Sequence, residues 1–216
     1  MMIYMRWLLA ILVSALCGCA APMQYSSSEF SGQVIDKVTG APVQGAVVVA
    51  TWELSRPRFF HGTLNRILHV SEAVTDENGR YILKAWGPKL RRPFWKLDVY
   101  DTGSLVFKPS YKFESIVGHN IGGNSEIPPA IRPVTQLGPI SEKLNDYAFR
   151  LKIISEDSCC ENDQLERNPN LIIMLDVERR RLDLLGVPDL RLSGIVNLDK
   201  LSAEQRLTLE KWKDQK

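Results

Sequence analysis

From Phe30 to about Tyr111 the apolar residues come in short alternating or Val-rich runs, cut by Gly, Pro, Asn and Asp. "SGQVID" runs into the turn "KVTG". "APVQG", with Pro42 and Gly45, opens the apolar run from Ala46 to Trp52. "RILHVSEAV" and "RYILKAW" flank "TDENG", and "FWKLDVY" and "LVFKPSY" flank "DTGS". β-Branched residues suit a pleated, half-buried surface, and Gly, Pro and Asn punctuate it. About seven strands at this spacing predict a mainly β domain built as an antiparallel sandwich.

Past Tyr111 the alternation fades. "VGHNIGGNSEIPPAIRPVTQLGP" predicts a long Gly/Pro-rich loop, assigned to 113–140. The period then changes. Leu144, Tyr147, Ala148, Leu151 and Ile154 share a helical face, while Tyr147, Phe149, Leu151 and Ile153 also fit a strand; we read a helix. The next helix is signed at both ends. Asn168 suits the N-cap and Pro169 the first turn; Leu171, Met174, Leu175, Leu182 and Leu185 make a face, and Gly186 and Pro188 close it. The capping box "SAEQ", Ser202 to Gln205, predicts a last helix to about Lys213. Residues 141–216 therefore read as a helical C-terminal extension.

The N-terminus stands apart. Arg6 precedes "WLLAILVSALC", Trp7 to Cys17, where only Ser14 is polar. A membrane span needs ~20 apolar residues, so this run has the length of a signal-peptide core instead. It ends in "LCGC", Leu16 to Cys19, which resembles the lipobox of bacterial lipoproteins, with Cys17 where Ala or Ser is usual. The resemblance implies a signal peptide over 1–18 and acylation of Cys19 as the mature N-terminus. Ala20 follows the Cys where Asp would resemble an inner-membrane retention signal, so the outer membrane is expected. The competing reading is a soluble secreted protein cut near "CAAP". Residues 19–29 read as a short polar tether.

Composition narrows the function classes. The 27 Lys and Arg against 25 Asp and Glu leave a net charge of +2, which does not favour a nucleic-acid partner.

The order "SGQVIDKVTGAPVQGAVVVA", "TDENGRYIL", "LVFKPSY" resembles the carboxypeptidase regulatory-like domain family over roughly 30–112. That resemblance implies a transthyretin-like β-sandwich and a non-catalytic accessory domain. Two departures are Ser110, where the family often has Gly, and the insert "RPRFFHGTLN".

Candidate chemistry is sparse. The acids of "TDENG", Asp76 and Glu77, could belong to a metal loop. An EF-hand loop, however, would start with an acid at Val74 and close with Glu at Ala85. Asn78 and Gly79 instead suit the positive φ of a hairpin turn. "HVSE" matches the H-x-x-E of zinc carboxypeptidases, yet residues three apart on a strand point to opposite faces, so His69 and Glu72 should not share a metal. His61, His69 and His119 have no spacing that recommends a catalytic site. We therefore expect no catalytic residue, metal or cofactor. A small periplasmic hydrolase or metal enzyme using these histidines is the alternative.

"RPRFF", Arg56 to Phe60, and "KLRRPFWK", Lys89 to Lys96, mix basic and aromatic residues. We read them as solvated loops whose aromatics tuck onto the sandwich. The competing reading is a surface for anionic lipid headgroups or acidic polysaccharide. Cys159 and Cys160 could form a vicinal disulfide, link two chains or stay reduced, and the oxidising envelope leaves these open. The expected protein is a lipid-anchored envelope module. Its partners are the membrane, through the anchor, and an unidentified envelope protein or polysaccharide.

Overall fold

The Val-rich run after "APVQG" becomes the centre of the molecule. In the computed structural model, which describes residues 23–58, 62–97, 102–118, 125–158, 167–203 and 206–207, it forms strand β3 (Val47–Pro57). β3 pairs antiparallel with β4 (Thr63–Val74) on one side and β7 (Thr102–Phe107) on the other, and β9 (Glu114–Val117) extends the sheet beyond β7. Both faces of β3 are covered. Val48, Ala50, Trp52 and Leu54 face a second sheet, whereas Val47 and Val49 face the helices. Two covered faces explain why the sequence here is a continuous apolar run rather than an alternation.

The second sheet has the order β5-β2-β10-β8, from β5 (Arg80–Leu83), β2 (Phe30–Asp36), β10 (Val134–Pro139) and β8 (Tyr111–Lys112). Val34, Tyr81, Leu83 and Leu137 from this sheet meet Val48, Ala50, Trp52 and Val106 in the core between the sheets. The molecule is thus a mainly β sandwich with helices added to one face. β1 (Gln24–Ser27) and β6 (Trp86–Leu90) make a separate antiparallel ribbon at its side.

The sheet pattern departs from expectation in several places, and the described part of "FWKLDVY", residues 94–97, is loop rather than strand. β10 lies inside the segment read as a loop and pairs parallel to β2, Val134 opposite Gln33 and Leu137 opposite Asp36, so this sheet is mixed. β1 falls inside the segment read as a polar tether. The "TDENG" corner joins β4 to β5, which belong to different sheets, so it is a crossing between layers and not a hairpin.

The helices settle the ambiguity of period. In α1 (Leu144–Ser158) Tyr147, Ala148 and Leu151 are buried, while Phe149 and Ile153 are 48% and 45% exposed, as a helical period requires and a strand would not. α2 (Pro169–Leu184) buries Leu171, Ile172, Leu175 and Leu182 against α1, Val47, Val49 and Phe107. Leu185, expected on that face, lies past the helix end and is exposed. The end itself is a Schellman closure: Val187 N–H donates to Leu182 O, Gly186 N–H donates to Asp183 O, and Gly186 takes φ +79°. A short helix α3 (Asp189–Leu192) and a 3₁₀ turn (Leu198–Lys200) follow. Most of the helix expected from "SAEQ" lies outside the described residues.

The helical layer is fastened by buried charge. Glu178 is fully buried; it accepts from Arg181 Nε and Nη2 at 2.7 and 2.6 Å and from the Ser110 N–H at 3.0 Å. Ser110 sits at φ +72°, a left-handed conformation that Gly adopts more readily than Ser.

Candidate functional site

Asp76, the first acid of "TDENG", is occupied by its own backbone, while Glu77 is exposed. Asp76 Oδ1 accepts from Asn78 N–H at 2.9 Å and from Arg80 N–H at 2.8 Å, an Asx-type turn. Of the two residues expected at positive φ, Gly79 alone adopts it, at +69°. A Cβ at Gly79 would run into the Val34 carbonyl oxygen. Thr75 anchors the corner from below, its hydroxyl donating to Val43 O and accepting from Ala46 N–H. Every one of these contacts is a corner contact.

"HVSE" divides between two layers. His69 lies opposite Trp52 and Glu72 opposite Val49, and those partners face the inter-sheet core and the helices respectively. The two side chains therefore leave opposite faces of β4. Glu72 caps α2: its carboxylate accepts from Leu171 N–H at 2.8 Å, Asn170 N–H at 3.1 Å and Asn170 Nδ2 at 2.6 Å. A negative charge there also complements the helix dipole. Asn168 occupies the N-cap position as expected but makes no side-chain cap bond, and its buried Oδ1 accepts none.

His69 packs beside the Trp52–Trp86 pair in a three-ring cluster, its ring centroid 4.8 Å from Trp86 and 5.7 Å from Trp52 in tilted contacts, and its Nδ1 lies 3.0 Å from Lys89 Nζ. Burial, and then the charges of Lys89 and Arg167, push its pKa down to about 4. Two indoles and a cation keep this imidazole neutral. His61 and His119 lie outside the described residues, as do Cys19, Cys159 and Cys160.

The two basic–aromatic segments, by contrast, converge. The insert "RPRFFHGTLN" lengthens the β3–β4 hairpin and carries Arg56 and Arg58 to its far end. The loop after β6 folds back onto that hairpin through paired bonds between Ser55 and Lys96, at 2.7 and 3.0 Å. A turn, Trp95 N–H to Arg92 O at 3.1 Å, closes the loop, and Arg91 Nη1 donates to Trp95 O at 2.7 Å. Arg56 lies over the Trp95 ring at 5.2 Å, a cation–π contact.

The expectation that the aromatics tuck onto the sandwich holds for Trp95, which packs against the core, while Phe59 and Phe60 lie outside the described residues. It does not hold for Phe94. That ring is 84% exposed on a backbone at φ +67°, where a bulky residue is an outlier. With Arg56, Pro57 and Arg58 it lines an open groove of about 640 Å³. The sequence signal for this convergence was composition alone; the contacts that create it span some forty positions.

No family model matches this chain, and a search of curated proteins returns no relative. Among solved structures it is similar to a 9R-lipoxygenase from Cyanothece PCC8801, at 8% identity over 69% of this chain and 27% of that one, with a TM-score of 0.23. The chain thus spans about a quarter of that enzyme's length, and no conclusion about activity follows from the likeness.

Proposed function

We propose that this chain is a non-catalytic, lipid-anchored protein of the cell envelope, held at the outer membrane through Cys19, whose sandwich serves as a binding or structural module. The observation that carries the reading is the short apolar run ending in "LCGC", too short to span and placed where a lipoprotein is cut. Acylation with more than one chain gives lasting attachment, since each buried methylene contributes ~0.8 kcal/mol. The geometry of the candidate sites supports the non-catalytic half. Asp76 serves the corner's backbone, Glu72 caps a helix, and His69 packs against the Trp52–Trp86 pair. The regulatory-like resemblance points the same way, toward an accessory module.

Metabolic labelling tests the anchor. Labelled palmitate should enter the wild-type protein, and Cys19→Ser should abolish that label and leave a soluble or unprocessed chain. Equal labelling of the mutant would refute the reading.

A further inference from the structure

We propose that the basic–aromatic edge is a membrane-facing surface: Phe94 seats in the interface, and the surrounding arginines and lysines engage anionic phospholipid headgroups. The proposal rests on the anchor at Cys19, and four observations argue it.

The first is reach. β1 starts at Gln24, and the Met23 carbonyl accepts from Arg91 N–H at 3.0 Å. Cys19 lies four residues before Met23, which at full extension spans about 14 Å. An acyl chain on Cys19 therefore holds the bilayer surface within that distance of the strand that touches the "LRRPFW" loop. The anchor selects which side of the sandwich looks at the membrane, and this is the side.

The second is charge. Arg56 and Arg58 on the hairpin and Arg91, Arg92 and Lys96 on the loop bring five basic residues together, and neither Arg56–Arg58 nor Arg91–Lys96 contains an acid. The whole chain is nearly balanced at +2, and these two segments hold basic residues with no acid among them. Basic residues near an anionic leaflet each add to binding, and salt screens them.

The third is the distribution of apolar side chains. Met23, Leu90 and Phe94 are 68%, 75% and 84% exposed, and all three lie on the β1–β6 ribbon or the loop leaving it. Gln24 pairs with Leu90, which brings Met23 and Leu90 to the same end of the ribbon. Aromatic rings with flanking Arg and Lys suit the headgroup level, because long basic side chains keep their charge in water while their stems lie on apolar surface.

The fourth is backbone strain. Phe94 occupies left-handed φ without burying its ring, so folding alone gains nothing from a phenyl group there. A partner outside the chain supplies a reason for it.

A lipid surface fits these features better than an acidic polysaccharide, which would use the charges and leave the apolar trio in water. The test uses a chain starting at Ala20, which keeps every described contact and carries no acyl group. It should float with vesicles of phosphatidylcholine plus phosphatidylglycerol, not with phosphatidylcholine alone, and salt should release it. Arg58→Glu with Arg92→Glu should lower partitioning by about tenfold or more. Phe94→Asn should also weaken binding while keeping or raising the melting temperature, since Asn tolerates positive φ. Equal binding to both vesicle types, no binding, or variants that bind like wild type would overturn the proposal. So would capture by polygalacturonate with no affinity for vesicles. The anchor reading fails in a different assay, the labelling of Cys19, to which this surface makes no contribution.

Discussion

His69 shows how one side chain can look reactive in sequence and be held inert by its surroundings. Its pKa of about 4 lies below the ordinary 6.5 because the ring is partly buried against Trp52 and Trp86 and lies near the charges of Lys89 and Arg167. The unfolded chain therefore takes up a proton at this position near pH 6.5, and the folded chain only near pH 4. Between those values the unfolded state binds more protons, so stability falls as pH falls through the window and levels off below it. One proton sets an upper slope of ~1.4 kcal/mol per pH unit, and partial exposure should keep the observed slope well under that. His69→Gln should flatten the fall measured by urea melts from pH 6.5 down to about 5, above the range where carboxylates take over. His61 and His119 are present in both proteins and drop out of the difference. An identical pH dependence in the variant would mean that the ring titrates normally.

At the scale of elements, the docking of α2 depends on a residue that precedes it by about a hundred positions. Glu72 satisfies the Asn170 and Leu171 N–H groups that a helix start leaves unpaired, while Asn168, the local candidate, does not. Losing a cap costs ~0.5–2 kcal/mol. Glu72→Ala should therefore destabilise the protein by about 1–2 kcal/mol, and Asn168→Ala should stay within ~0.5 kcal/mol of wild type. Urea midpoints at equal m-values would measure both, and the reverse ranking would restore Asn168 as the cap. The same contrast defines what the sequence could reveal. Signals confined to a few neighbouring residues were readable: the Gly186 closure, the helical period of α1, the positive φ of Gly79 and the opposite faces of His69 and Glu72. Signals that exist only between distant segments were not. β10 is six residues in a Pro-rich stretch, and it becomes a strand because β2, a hundred positions earlier, offers it an edge. The Arg56–Arg58 and Lys89–Lys96 segments each resemble a loop, and the Ser55–Lys96 bonds with the Arg56–Trp95 contact make them one surface.

For the whole molecule, the decisive feature is that β3 is buried on both faces. Read along the chain, the helices after Ile140 look like an appendage to a finished sandwich. In space they cover Val47, Val49 and Phe107, which are at most 5% exposed, with Tyr147, Leu151, Leu171, Ile172 and Leu175. Each such apolar side chain contributes ~1.5–3 kcal/mol when buried, against a total stability of ~5–15 kcal/mol for a domain of ordinary size. Removing the layer withdraws more than the remainder can spare. It also uncovers a flat Val-rich sheet face, the kind of surface that draws other chains. A chain from Ala20 to Ile140 should therefore be insoluble, or collapsed with strong binding of a hydrophobic dye and no cooperative melt. The chain from Ala20 to the C-terminus should melt in one transition by near-ultraviolet circular dichroism and by calorimetry. A soluble, monomeric truncated chain that melts cooperatively within a few degrees of the longer one would show that the sandwich stands alone. With the helices packed on one face of β3, and Tyr25 and Trp86 of the N-terminal ribbon packed into the core between the sheets, the basic–aromatic edge is joined to the sandwich through that core. Whatever touches Phe94 then senses the whole fold.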